Sequence, residues 1–384
     1  MTRSVVRWPA ANARRLAQHG LAQPFPEGTD PATVASAMSG VHAQILSAAE
    51  VSAALRVDGG TRVDVRRALW EDRTLVKTFG PRGTVHLLPS ADLGRWMAAL
   101  GEIPWRSPFP DEVRLSPEQT DAVVAAVGEA LRDRELTVDE LTEAVGELAG
   151  PWAAEPVMPA FQTMWPRWRQ AVGTAAHAGV LCYGQDRARK VTYTHPARWT
   201  GEQAPVDPDE AVAWLVEQYL RSYGPATSAA FALWVGAPAA WAGERMAAHP
   251  GLVPVDLDGE QAWDLPDAPA DLPAADGVRL LPYFDAFVVG SRPRHLLFPG
   301  RAAHRALVPS GQAGNYPVML VDGVVAGVWH QKRSGRRVTV TVEPLRRLSK
   351  ARLAALEEQV RRLGEIVEAE ASLIVGPVSV GPHA

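Results

Sequence analysis

The segment Gly40-Val-His42-Ala-Gln44-Ile-Leu-Ser47 places two polar side chains either side of one alanine. In an extended backbone alternate side chains point the same way, so His42 and Gln44 would converge on one small molecule, such as a water. A glutamine amide oxygen and a neutral imidazole nitrogen both accept hydrogen bonds, as orienting a nucleophilic water requires. The imidazole can also take up the water's proton, which the amide cannot. The same pair in a helix-turn-helix turn also suits a phosphate contact, or simply faces solvent.

Three further segments carry candidate chemistry. Phe79-Gly-Pro-Arg82-Gly-Thr84-Val-His86 reads as a hairpin tip at which Arg82, Thr84 and His86 meet phosphates, or as a turn merely shaped by Gly and Pro. In Leu281-Pro-Tyr283-Phe-Asp285-Ala-Phe, Asp285 sits among apolar residues and needs a cation, for which Arg292 or Arg294 is expected. The alternatives there are a purely structural ion pair, with Tyr283 and Asp285 supporting the site, and a DNA contact through Arg292 and Arg294. Lys332-Arg333-Ser-Gly-Arg336-Arg337 is a cationic turn that suits a DNA groove, or a solvated loop.

The elements that must position these groups follow from periodicity and punctuation. A helix is expected over 10–19, ended by Pro24 and Pro26. Asp30-Pro31 opens the next, with Asp30 as N-cap and Pro31 in the first turn. Ser47-Ala-Ala-Glu50 reads as a capping box for a third helix. Short β-runs at 74–79 and 84–88 complete a winged helix-turn-helix. The pattern returns as helices over 117–132 and 138–148, a long aromatic-rich helix over 161–178 and a hairpin over 179–193. It returns again as helices over 209–222 and 228–235, the latter capped by Thr227. Residues 254–276 read as a linker or edge loop. Strands are then expected over 280–289, 317–321, 324–330 and 338–342, before a terminal helix over 349–368. The fold class is α+β. Three tandem winged helices over 1–105, 106–204 and 205–253 precede a β-rich basic domain with a terminal helix over 254–384.

Composition narrows the function. With 384 residues and 47% hydrophobic content there is material for several cores. A single cysteine, Cys182, excludes an internal disulfide framework and a Cys-rich metal site. No apolar run of about 18 residues exists, so no membrane span is expected. The arginine-bearing N-terminus lacks an apolar core, which suggests a cytoplasmic protein. Net charge is −4, yet residues 279–352 hold 13 Lys+Arg against 3 Asp+Glu. That asymmetry suggests a polyanion-binding face on the C-terminal part, or a solvated basic surface. Only four of the cations of the chain are lysines, and arginine is the better bidentate phosphate ligand. With no metal-ligand cluster, glycine-rich nucleotide loop or heptad run, a monomer without cofactor is expected.

Taken together, SGVHAQILSAAEVSAALR, VKTFGPRGTVHLLPSADL, YLRSYGPATSAAFALW, RLLPYFDAFVVGSRPR and PVMLVDGVVAGVW resemble the tandem winged-helix DNA glycosylases of the AlkZ type, in order over about residues 35–330. The resemblance implies a monofunctional glycosylase acting on double-stranded DNA, with bulky N7- or N3-alkylated purines as substrates. For some members it implies self-resistance to a genotoxic natural product. The family's Gln–aliphatic–Gln catalytic motif falls on His42-Ala43-Gln44, with histidine at its first position. No Schiff-base lysine is implied, so the base is removed without strand cleavage. Residue chemistry alone leaves two non-enzymatic readings open, a DNA-binding regulator or drug sequestrant and an interaction scaffold.

Overall fold

Asp30 accepts a hydrogen bond from the Ala32 amide at 2.8 Å, and Pro31 occupies the first turn of the helix that leads toward the candidate site. Losing such a cap typically costs about 1 kcal/mol. The computed structural model describes residues 4–381 apart from 106, 108, 161–162 and 270–271. Its first part comprises β1 (Ser4–Val6), α1 (Trp8–Gln18), α2 (Pro31–Ala37), β2 (Val41–His42), α3 (Leu46–Ala54), α4 (Arg62–Trp70), β3 (Leu75–Phe79), β4 (Val85–Pro89) and α5 (Leu93–Gly101). Helix α4 was not expected. A capping box does open it, formed by Thr61 and Asp64. The box expected at Ser47 and Glu50 is absent. Ile45 is the N-cap of α3, and Glu50 is buried in a two-pronged pair with Arg66 at 2.7 and 2.8 Å.

The second part holds α6 (Pro117–Leu131), β5 (Leu136–Thr137), α7 (Val138–Ala149), α8 (Pro151–Ala154), β6 (Pro156–Ala160), β7 (Thr163–Pro166), α9 (Val172–His177), β8 (Cys182–Tyr183), β9 (Thr192–Thr194) and α10 (Ala197–Thr200). The long helix expected over 161–178 is instead strand β7, a 3-10 turn and the short α9; residues 161 and 162 lie outside the described residues. Pro166 ends the strand and cannot donate within a helix.

The third part holds α11 (Pro208–Tyr223), α12 (Ser228–Val235), α13 (Ala239–Ala248), β10 (Val253–Leu257) and β11 (Glu260–Asp264). Thr227 caps α12 through the Ala230 amide at 3.1 Å, as its type and place suggest. Residues 254–264, read as linker, instead belong to the β10–β11 hairpin, turned at Asp258-Gly259 with φ of 52° and 92°. The order helix, short strand, helix, helix, hairpin thus recurs, with the β6–β7 hairpin inserted in the second copy. The strand order recurs with it: β2-β4-β3, then β5-β9-β8, then the Ala226–Trp263 bridge followed by β11 and β10.

The C-terminal part adds β12 (Val278–Leu281), α14 (Ala286–Gly290), α15 (Arg294–Leu297), α16 (Arg301–Ala306), β13 (Val318–Val321), β14 (Val324–Ser334), β15 (Arg337–Pro344), α17 (Lys350–Ile366) and β16 (Glu370–Val375). The strand expected over 280–289 stops at Leu281, and Asp285 caps α14. Strands β12 to β16 form one sheet in sequence order, with β16 returning parallel to β15 after α17. Val34, Val65 and Leu87 of the first part share a core with Val278, Met319 and Val340 of this sheet and Leu356 of α17. The first repeat is therefore packed onto the C-terminal sheet, and the His42 turn lies where the two meet.

Candidate active site

Strand β2 is two residues long and pairs antiparallel with β4, so that His42 faces His86 across the ladder. Gly40 just before it has φ of +94°, and a Cβ there would sit 2.9 Å from Leu88. Only glycine enters the turn so closely. The Ala43 amide continues the ladder to the Val85 carbonyl at 2.7 Å. Next to it Gln44 is exposed, while His42 is only 7% exposed.

The His42 ring lies on Phe284, with centroids 4.9 Å apart and planes at 22°, and meets His86 edge-on at 5.0 Å. Its Nδ1 is buried with no hydrogen-bond partner among the described residues. Burial, aided by the Arg82 charge, pushes its pKa down to about 3. His42 is therefore neutral at physiological pH, an acceptor that binds protons weakly. His86 is buried too. Its Nδ1 donates to the Thr84 carbonyl at 2.8 Å, and burial, then His42 and Arg82, hold its pKa well below the usual value.

Phe284 has φ of 54°, a conformation that costs non-glycine residues about 1–2 kcal/mol. Its amide donates to the Gly314 carbonyl at 3.1 Å, and Asp285 beside it is locked from the other side. Arg56, two residues beyond α3, donates both terminal nitrogens to Asp285 at 2.9 Å, and the Ser52 hydroxyl donates at 2.7 Å. Both side chains of the ion pair are fully buried. The ion pair ties the helix that begins beside Gln44 to the segment that carries Phe284. The carboxylate partner expected at Arg292 or Arg294 is thus Arg56.

The wing is also rearranged. Arg82 turns inward at φ of 62° and donates to the Trp234 carbonyl at the end of α12. Its burial lowers its pKa to about 10. The Thr84 hydroxyl donates to the Pro81 carbonyl at 3.1 Å. Arg292 donates to the Val289 and Ser291 carbonyls at 3.0 Å. Arg294 donates to Ser291 at 3.1 Å, to Val289 at 2.6 Å and to Val288. These arginines satisfy the carbonyls at the end of α14 rather than standing free for phosphates, as the segment alone suggested. Tyr283 is half-buried beside Phe284.

Part of the basic C-terminal stretch is used within the protein. Arg305 pairs with Glu343 at 3.0 Å, Arg352 pairs with Asp276 and Asp322 at 2.5 Å, and Arg279 donates to the Leu21 carbonyl at 2.7 Å. Exposed are Arg301, Arg346, Arg347 and Lys350, and, clustered on one hairpin, the β14–β15 tip with Lys332, Arg333, Arg336 and Arg337. Arg333 reaches the Gly335 and Val367 carbonyls at 3.1 and 3.0 Å, and Arg337 lies 3.7 Å from Glu370 with both side chains over 80% exposed. Arg56 and Phe284 are the site residues that sequence reasoning missed. A lone carboxylate in an apolar stretch signals that a cation exists but not which one, and nothing marks Phe284 apart from its place before that carboxylate.

The family model described as "DNA glycosylase AlkZ-like" matches residues 35–366, which makes the protein a DNA glycosylase. The chain belongs to the AlkZ-like family. It is 32% identical over 317 residues to the interstrand DNA cross-link repair glycosylase of Streptomyces sahachiroi, an overlap that covers 77% of this chain and 81% of that one. Its fold is similar to that of the solved Streptomyces sahachiroi DNA glycosylase AlkZ, with a TM-score of 0.78, 26% identity and coverage of 96% of this chain and all of the other. Family membership replaces the regulator and scaffold readings with an enzymatic one. No helix among the described residues is long and apolar enough to cross a membrane.

Proposed function

We propose that the protein is a monofunctional glycosylase that hydrolyses the N-glycosidic bond of N7- or N3-alkylated purines in double-stranded DNA. On this reading His42 and Gln44 hold the attacking water. The observation that carries it is the buried Nδ1 of His42, without a hydrogen-bond partner among the described residues, two residues from the exposed Gln44. A buried imidazole nitrogen left without a protein partner calls for a water or a ligand atom. An N7- or N3-alkylated purine carries a positive charge, so when it takes the electron pair of the C1′–N9 bond the base leaves as a neutral molecule and the charge develops on the sugar. The leaving group therefore needs little acid catalysis, and the remaining task is to place a water beneath C1′ and tolerate an oxocarbenium-like sugar. Gln44 accepts from that water through its amide oxygen. His42 accepts a second hydrogen bond, but a group that binds protons only near pH 3 orients the water rather than deprotonating it.

The three copies of helix, strand, helix, helix and hairpin act as tandem winged helices on this proposal, and the cationic β14–β15 tip meets the DNA backbone. Arg82, Arg292 and Arg294, with Thr84 and His86, hold the site's walls. The relative's name extends the proposal to interstrand cross-links; self-protection against a genotoxic natural product, in a cytoplasmic monomer, extends it further on the family resemblance alone. Incubating the protein with a duplex that carries one N7-alkylguanine, followed by alkali, should give a nick at that position. A duplex that stays intact after alkali, while binding is measurable, would contradict the proposal.

Because His42 stays neutral, the excision rate should be level between about pH 5.5 and 8. A rate that falls through an apparent pKa near 6.5 would mean that His42 titrates and acts as a base. The same depression has a cost to the fold. In the unfolded chain His42 takes up a proton near pH 6.5, so stability is lost as pH falls from there toward 3. For the DNA contact, replacing Arg336 and Arg337 together with alanine should weaken binding. It should also lower the slope of log K against log salt by about one to two. An unchanged slope places that tip away from DNA.

A further inference from the structure

The molecule has a cleft beside the His42 turn that the hydrolytic step does not use. It measures about 220 Å³, with Ile45, Ser47 and Ala48 on one wall and Tyr283, Trp329 and Gln331 on the other. Ile45 directly follows Gln44, and Tyr283 directly precedes Phe284, whose ring lies on His42 at 4.9 Å. Both walls are thus continuous with the catalytic turn. Trp329 is 2% exposed, and its indole nitrogen donates to the Leu281 carbonyl at 2.9 Å. Its polar atom is used within the protein, so what it turns to the cleft is carbon surface. Ile45 and Ala48 face it with more. The rim is polar at Ser47 and Gln331, both exposed, and Gln331 adjoins Lys332, the first cation of the β14–β15 tip.

We propose that this cleft receives the apolar substituent carried by the alkylated purine, and so sets which adducts are excised. The inference rests on the glycosylase reading of His42 and Gln44. Bond counting supports the occupant: N9, C8 and N7 separate C1′ from an N7 substituent, and N9, C4 and N3 separate it from an N3 substituent. A substituent at either position branches close to the water, not at the far edge of the base. Size supports it as well. Sites that enclose a whole small ligand span roughly 300–1,000 Å³. A cleft of about 220 Å³ suits one substituent and not a base together with its adduct.

The test uses the full-length protein and two duplexes, one with N7-methylguanine and one with N7-benzylguanine. The quantity read is the ratio of kcat/KM for the benzyl duplex to that for the methyl duplex. Ser47→Trp fills the cleft from the helix wall and Gln331→Trp from the strand wall; both positions are exposed, so the fold tolerates the larger side chain. The ratio is expected to fall about tenfold or more in each variant, the scale on which apolar pockets discriminate. A ratio within about twofold of wild type in both variants overturns the proposal. Failure of the wild type to release either base would instead overturn the glycosylase reading beneath it.

Discussion

Replacing Gln44 with alanine is expected to lower base excision by about 10²-fold, the order of loss that follows when a reacting group is no longer held in place. His42→Ala should act in the same direction. Gln44 is exposed, so its removal leaves the packing alone. The loss should therefore appear in the single-turnover rate and hardly in DNA affinity. His42 is buried against Phe284 and His86, so its alanine variant also opens a hole, and its stability has to be measured alongside. His42→Gln is the cleaner comparison. It keeps an acceptor near the same place and restores the Gln–aliphatic–Gln form that the family resemblance implies. Activity retained in His42→Gln but lost in His42→Ala would mark an orienting role, in keeping with an imidazole that binds protons only near pH 3.

The second large effect falls on the scaffold. Asp285→Ala leaves the guanidinium of Arg56 fully buried without its carboxylate. Removing one partner of such a pair costs about 3–5 kcal/mol, because an uncompensated charge remains inside. The midpoint of denaturant unfolding should drop accordingly. The site should suffer too, since Asp285 fixes the neighbouring Phe284 in its left-handed conformation under His42. A midpoint that moves by less than about 1 kcal/mol equivalent would mean that water or another group takes over the charge. Arg56→Leu combined with Asp285→Leu removes both charges and should cost less than the single change, as paired deletion leaves no unpaired charge.

How far these features were legible in the sequence depends on how local their causes are. Asp30, Thr227 and Ser349 are N-caps, and each binds an amide within three residues, so type and place suffice to find them. Glu50 has the spacing of a capping residue, but its carboxylate goes to Arg66, 16 residues away, and the local rule loses to a stronger charged partner. Arg56 and Asp285 are separated by 229 residues, and no spacing rule connects them. Asp258-Gly259 is as good a hairpin turn as Asp322-Gly323, with both residues at positive φ, yet the prolines and acids around it give the appearance of a linker. The inward turn of the wing arginine is hidden from the sequence for a similar reason. A charged, glycine-flanked tip looks solvent-facing until a second repeat supplies a carbonyl for Arg82 to bind. The basic stretch over 279–352 is real as composition, but folding brings counter-ions to part of it, and the β14–β15 tip is where four exposed cations gather on one hairpin.

The His42-Ala43-Gln44 turn itself is legible from residue types, and the resemblance to the family implies a role for it. The geometry adds that the two side chains are not equivalent: one is buried, stacked and held neutral, the other open to solvent. The most direct test of the account is the variant with both His42 and Gln44 replaced by alanine, assayed beside wild type on one duplex carrying an N7-alkylguanine. The account predicts that alkali-revealed abasic sites fall to the uncatalysed background while duplex binding stays within about threefold of wild type. Abasic-site formation at the wild-type rate in that double variant would contradict it and place the hydrolytic machinery elsewhere in the protein.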